Sequence, residues 1–399
     1  APMTRCPVCG TTSPGAFLVR DPVAVHQNLL VDSPEAARAL NRGRLEMHAC
    51  PACGFVFNAA FDGSRLTYGA AYENTQSYSP SFEAHVEGLA DHLVSDRGVR
   101  GARVVEVGCG KGAFLRAVVR RDEGNEGIGF DPSYIGPDED VDGRVRFERR
   151  FYGEDCLDLR ADVVVCRHVI EHIPDPVDLL RLVRATLHDA NARVFFETPC
   201  VEWILAHEVI WDFFYEHCSY FTAASLASAF ERAGFAVDAV RHVFGGQYLW
   251  IEAHPASHGQ AGTADEGRVA AMAAAFARME ASRVAALRRR LERLAADGPV
   301  AMWGAAAKGV TLAGLVDPAA RLLSCVVDLN PNKQGRFLPG TGHPIVAPED
   351  LPAWKVRTAV MTNPNYLDET GRLLRDAGIP VRLVDLMQER EGEVDAHHR

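Results

Sequence analysis

The sequence predicts an α/β protein: a Rossmann-like sheet at its centre, a small cysteine-bearing module ahead of it and a second Rossmann-like α/β unit behind it. Three observations carry that prediction. A glycine-rich turn joins an apolar run to a helical pattern within residues 103–115, two Cys-x-x-Cys pairs stand near the N-terminus, and beyond residue 297 the order of strand, glycine turn and helix begins again. A chain of 399 residues is long enough for two or three domains. We expect their boundaries at 1–66, 67–256 and 257–399.

Composition narrows the function. The chain is 47% hydrophobic, yet no apolar run approaches the ~20 residues of a membrane span. Its net charge is -11 and it has no basic block outside one helix, which argues against a nucleic-acid partner. No charged-then-apolar leader opens the sequence, so we expect a cytoplasmic protein acting on a small molecule. Ten cysteines would suggest disulfides only in a small secreted chain.

Four of those cysteines are arranged for a metal. Cys6-Pro-Val-Cys9-Gly and Cys50-Pro-Ala-Cys53-Gly are two knuckles of one form, and together they supply a tetrahedral four-thiolate shell for Zn²⁺. The separation of the knuckles exceeds the usual ribbon spacing. A closed shell leaves no open position, so the zinc is expected to be structural and to hold a small lid together. Residues 33–44 between the knuckles read as a capped helix. In residues 68–82 aromatics alternate with hydroxyl and amide groups, a pattern that fits a grip on a polar ring or a linker packed by its tyrosines. Tyr72 and Tyr78 are the candidate substrate contacts, and 81–94 reads as a helix leading into the core.

The glycine turn is the centre of the chain. Residues 104–107 form a short strand, Gly108, Gly110 and Gly112 the turn, and 113–119 a helix. Glycines let the backbone turn sharply and lie against a ligand. A dinucleotide fingerprint spaces them Gly-x-Gly-x-x-Gly, whereas here they fall as Gly-x-Gly-x-Gly behind Glu106. That form resembles motif I of the class I S-adenosylmethionine (SAM) methyltransferases. The resemblance implies that Glu106 faces the methionine end of SAM and that the loop packs on its ribose and sulfonium. Asp131 looks like the carboxylate ending the second strand, which accepts from the ribose hydroxyls. Asp155, after a third strand at 146–148, corresponds to an acidic residue near the adenine. The strand at 161–166 ends in Arg167-His168-Val-Ile-Glu171-His172, which looks like motif IV of small-molecule methyltransferases. Arg167 and His168 thus become cofactor candidates, and His168 a catalytic one.

A strand at 191–199 precedes Trp211-Asp-Phe-Phe-Tyr215-Glu216-His217-Cys218-Ser-Tyr-Phe-Thr222. Thr222 caps a helix over 223–233, which lets the preceding loop present Tyr215, Glu216 and His217 over the site. A Glu beside a His raises the imidazole's basicity; a buried His tied to its Glu for structure alone fits the same residues. Residues 235–243 and 247–254 form a hairpin, placed like strands six and seven of a class I methyltransferase sheet. A small-residue linker and a long helix over 265–296 follow, and then the second unit. There Lys308 beside Gly304 and Gly309, with Lys333 and Arg336, supplies cations and backbone amides suited to a pyrophosphate. A plain brace with surface cations would read the same way.

Two zinc knuckles, a SAM core, a Glu-His loop and a C-terminal Gly-Ala-Ala-Ala-Lys-Gly with Lys-Gln-Gly-Arg-Phe-Leu-Pro-Gly-Thr stand in that order. Over nearly the whole chain they resemble the nucleotide-deoxysugar C-methyltransferases. The resemblance implies SAM and structural Zn²⁺ as cofactors and an NDP-4-keto-deoxysugar of natural-product biosynthesis as substrate. It also implies His217 as the base, with Tyr215 or Tyr72 donating to an enolate oxygen. Two features depart from the family pattern: Phe214 stands where family members carry Tyr, and the run around Tyr72 is worded differently. An O- or N-methyltransferase of another small metabolite is the alternative.

Overall fold

The computed structural model describes residues 4–66, 72–73, 78–187, 189, 191–256 and 262–388. Residues 67–71 and 74–77 of the aromatic run and 257–261 of the linker lie outside the described residues.

Strand β1 (Ala16–Ala24), helix α1 (Pro34–Ala39), strand β2 (Arg42–Ala49) and strand β3 (Val56–Asn58) make the N-terminal unit. Ser33 caps α1 by accepting from Ala36 N–H at 3.0 Å. The helix ends at Ala39 rather than near 44, because Gly43, Leu45 and Met47 alternate inward as a strand does. This antiparallel sheet takes its fourth strand from far along the chain: Ser219–Tyr220 pairs with β3. A module expected to act as a separate lid is therefore stitched to the core.

The central unit runs through α2 (Pro80–Asp91), β4 (Arg103–Val107), α3 (Ala113–Arg120), β5 (Glu126–Phe130), β6 (Glu139–Asp140), β7 (Val145–Glu148), β8 (Val163–Arg167), α4 (Pro176–Thr186), β9 (Arg193–Pro199), α5 (Val201–Ala206), β10 (Ser219–Tyr220), α6 (Ala223–Arg232), β11 (Phe235–Val243) and β12 (Tyr248–Pro255). Its eight-stranded sheet has the order β11-β12-β9-β8-β4-β5-β7-β6. Strands β7, β5, β4, β8 and β9 are parallel, and β12 runs antiparallel between β9 and β11. The order reverses between β4 and β8, so a crevice opens at their carboxyl ends. This is the class I methyltransferase α/β fold.

Helix α7 (Arg268–Ala296) leads to a third unit of β13 (Val300–Trp303), α8 (Ala307–Val316), β14 (Leu323–Val327), β15 (Ile345–Val346), β16 (Thr358–Met361), α9 (Leu367–Asp376) and β17 (Arg382–Asp385). Its sheet, ordered β15-β14-β13-β16-β17, is parallel throughout. One apolar cluster joins all three units: Leu18 and Leu45 meet Trp211 and Phe213, Phe276 and Leu287 of α7, and Leu312 of α8. Among the described residues no helix is long and apolar enough to cross a membrane.

Candidate active site

The cradle at the carboxyl end of β4 is built from backbone shape and two carboxylates. Gly108 and Gly110 have φ of 70° and 55°, a region that L side chains rarely adopt. A Cβ on Gly108 would lie 2.1 Å from Val169 Cγ2, whereas one on Gly110 would meet nothing within 4 Å. The first glycine is therefore demanded by packing, and the second leaves open space above the loop. Asp131 Oδ2 accepts from Gly110 N–H at 2.9 Å and so fixes the turn. Glu106 is 2% exposed, and its Oε2 has no hydrogen-bond partner. Burial pushes its carboxyl up to about 8 against the pull of the Arg167 guanidinium. Arg167 Nη2 is also buried without a partner. Orphaned donor and acceptor atoms beside an open glycine turn fit the zwitterionic methionine end of SAM.

Next to the cradle lies a network around Arg167 and His168 whose other members, Glu197 and His85, sequence reading missed. Glu197, fully buried at the end of β9, accepts from Arg167 Nε at 2.8 Å and pairs with His85 of α2. Its Oε2 lies 3.4 Å from His168 Nε2, and Glu171 Oε1 lies 3.4 Å from His168 Nδ1. Burial would raise the Glu197 carboxyl, but Arg167 and His168 hold it well below the usual range. Burial pulls the His168 imidazole down, yet Glu197 and Glu171 outweigh it and lift it to about 9. His168 has a φ of 54°, a strained backbone for a non-glycine residue. A charged residue ending an apolar strand was the one sequence signal of Glu197.

Beyond His168 opens a cavity of about 280 Å³ shared by all three units. Its wall includes Asn28 and Tyr72, His172, Phe214, Glu216 and His217, and Lys308, Asp328 and Lys333. The expected Glu216–His217 pair does not form, because each side chain is taken up by other partners. Glu216 accepts from Tyr72 Oη and from Gln27 N–H, each at 2.7 Å. Burial raises its carboxyl, more than His172, Tyr72 and Gln27 lower it. His217 instead packs on Phe214, with ring centroids 4.2 Å apart, and edge-on to His172 at 4.7 Å. Ligand atoms of Glu171, His172 and His217 lie within 4.8 Å of one another. Burial, then His172, His168 and Lys308, hold the His217 pKa well below the usual histidine value.

Tyr215 is corrected outright. It is fully buried over Gly43, accepting from Asp62 N–H at 2.9 Å, and does not reach the cavity. Arg336 is also absent from the cavity wall and pairs with Asp32. Asp155 is exposed and pairs with Arg150. Tyr78, 40% exposed, lines the mouth. Lys308 pairs with Asp212, and the buried Lys333 donates to Asn28 Oδ1 at 3.1 Å and Ala305 O at 3.2 Å. The N-terminus of α8, which has no side-chain cap, opens on the same wall. Asp212, Gln247 and Asn363 were missed as well; the last two bond amide to amide between the second and third units.

The four N-terminal cysteines converge. Cys6 and Cys53 Sγ atoms are 3.7 Å apart, and those of Cys9 and Cys50 are 3.4 Å apart. A tetrahedron with Zn–S bonds of ≈ 2.3 Å has edges of about 3.8 Å, so the set fits a zinc shell.

Residues 82–240 match the family model of a methyltransferase domain, and residues 261–376 that of a C-methyltransferase C-terminal domain. The chain is 28% identical to C-methyltransferase NovU of Streptomyces niveus, over 94% of this chain and 95% of that protein. It is 30% identical to a ubiquinone biosynthesis O-methyltransferase of Ralstonia nicotianae, over 27% of this chain and 48% of that protein. A solved magnesium protoporphyrin IX methyltransferase from Synechocystis, with bound SAH, is similar at a TM-score of 0.36 and 14% identity, over 44% of this chain and 84% of that one.

Proposed function

The chain belongs to the SAM-dependent C-methyltransferases, and from that premise we propose that it methylates the carbon beside the ketone of an NDP-4-keto-deoxysugar in natural-product biosynthesis. Such a carbon becomes nucleophilic only when its proton leaves, so the site must offer a base and a donor for the enolate oxygen. SAM, when bound, supplies the methyl group. His217 is the base in this reading. Its depressed pKa keeps the ring neutral and able to take a proton, and Glu171 offsets the charge of the imidazolium that forms. Tyr72 is the donor, turning its hydroxyl proton from Glu216 to the enolate oxygen.

The other end of the cavity is read as the seat of the nucleotide diphosphate, facing the uncapped start of α8, Lys308 and Lys333. The observation that carries the proposal is that one cavity joins this anion-binding end to the His217 end. The Cys6, Cys9, Cys50 and Cys53 thiolates hold a structural Zn²⁺ in the same reading. A panel of NDP-4-keto sugars supplied with SAM, read by mass spectrometry and product NMR, tests it; the expected product has a new carbon–carbon bond. We expect His217→Ala to abolish turnover and leave SAM affinity nearly intact. Methylation by purified His217→Ala at the wild-type rate would remove the base assignment.

A further inference from the structure

Arg20 sits on the inward row of β1 beside Leu18, a position that β-sheet alternation reserves for apolar side chains. It is 8% exposed, and burying a guanidinium is costly unless its donors are satisfied. Three of them are. Nε donates to Glu280 Oε1 of α7 at 2.8 Å, Nη1 to the Phe213 carbonyl at 3.1 Å and Nη2 to the Ile210 carbonyl at 2.7 Å. Both carbonyls belong to the loop that carries Asp212, Phe214, Glu216 and His217 into the cavity wall. One side chain thus ties the N-terminal sheet and the long helix to that loop.

We propose that Arg20 is a positioning residue, setting the placement of His217 against His172 and Glu171 by fixing the backbone at 210 and 213. The inference rests on the reading of His217 as the base. The planar fork of arginine matters here, because a lysine ammonium, a single point on a flexible stem, cannot hold two carbonyls and a carboxylate in these directions at once. The loop otherwise has little regular structure to define it: only the three-residue turn Ile210–Asp212 and the two residues of β10.

The test is Arg20→Lys, with Glu280→Gln as its companion, in the full-length zinc-loaded protein. Histidine ring NMR, with the His217 signal assigned through His217→Gln, should show the His217 and His172 resonances moved in Arg20→Lys and those of His92 and His254 unmoved. Calorimetry with SAM should give wild-type affinity. On whichever acceptor the sugar panel identifies, kcat should fall about ten- to a hundred-fold with the KM for SAM unchanged. Glu280→Gln keeps both carbonyl bonds and should lose far less. Should Arg20→Lys aggregate, Arg20→Gln takes its place: its amide nitrogen stands where Nε does and can still donate to Glu280, while both carbonyl bonds are lost. Unmoved His217 resonances, or parallel loss of SAM binding and turnover, would overturn the proposal. The NMR readout needs no acceptor, so a failed sugar panel would count against the substrate reading alone.

Discussion

Glu106, proposed to face the methionine end of SAM, is a burden on the fold that carries it. Its carboxyl, held near 8 by burial, keeps a proton in the folded protein that the unfolded chain releases around 4.5. Between those values the folded state binds more protons, so this group lowers stability as pH rises. We expect Glu106→Gln to unfold at higher denaturant than wild type at pH 8, by on the order of 1–3 kcal/mol, and to gain nothing at pH 4. SAM binding should be lost in the same variant. Equal stability of the two proteins at pH 8 in denaturant titrations would show that Glu106 is not held protonated. Residues of this kind were legible because their chemistry lies within one short motif, as Glu106 and the glycines do. Glu197 was not, because its meaning depends on Arg167, thirty positions away, and His85, 112 positions away. Tyr215 was misplaced for the opposite reason: adjacency to Glu216 and His217 says nothing about which way a turn sends each side chain.

At the scale of elements, strand β10 explains why the cysteine knuckles matter to a site they do not touch. Ser219 and Tyr220 pair with Phe57 and Val56, and Cys50 and Cys53 stand just before that strand. With zinc held there as proposed, its removal should loosen β3, and with it β10 and the His217 loop, while β4 and its glycine turn are left in place. We expect a chelator, or Cys9→Ser, to release about one zinc per chain by elemental analysis and to end turnover, with SAM still bound in calorimetry. Full activity in the zinc-free protein would show that the knuckles are dispensable to the loop. That the two knuckles bring four thiols to one point was readable from spacing alone. That β3 would recruit a strand more than 150 residues away was not, because two-residue strands carry no periodicity to detect.

The whole molecule places its cavity where three units meet, and that placement separates the two halves of binding. The glycine turn and Asp131 belong to the central unit alone, whereas Lys308 and Lys333 come from the third. Lys308 already faces a carboxylate, Asp212, so a diphosphate bound as proposed would have to replace that partner with a stronger one. A charge-assisted contact of this kind is worth ≈ 1.5–3 kcal/mol, which corresponds to roughly ten- to a hundred-fold in affinity. Lys308→Met should accordingly weaken binding of a nucleoside diphosphate by that factor and raise the acceptor KM in step, with SAM affinity and the carbon methylated both unchanged. Isothermal titration with UDP and dTDP, run on wild type and variant side by side, measures it. If both diphosphates bind wild type and Lys308→Met equally well, the nucleotide end of the cavity has been placed at the wrong wall. If SAM affinity falls together with theirs, the two halves are coupled through the shared apolar core of Leu45, Phe213 and Leu312 rather than independent.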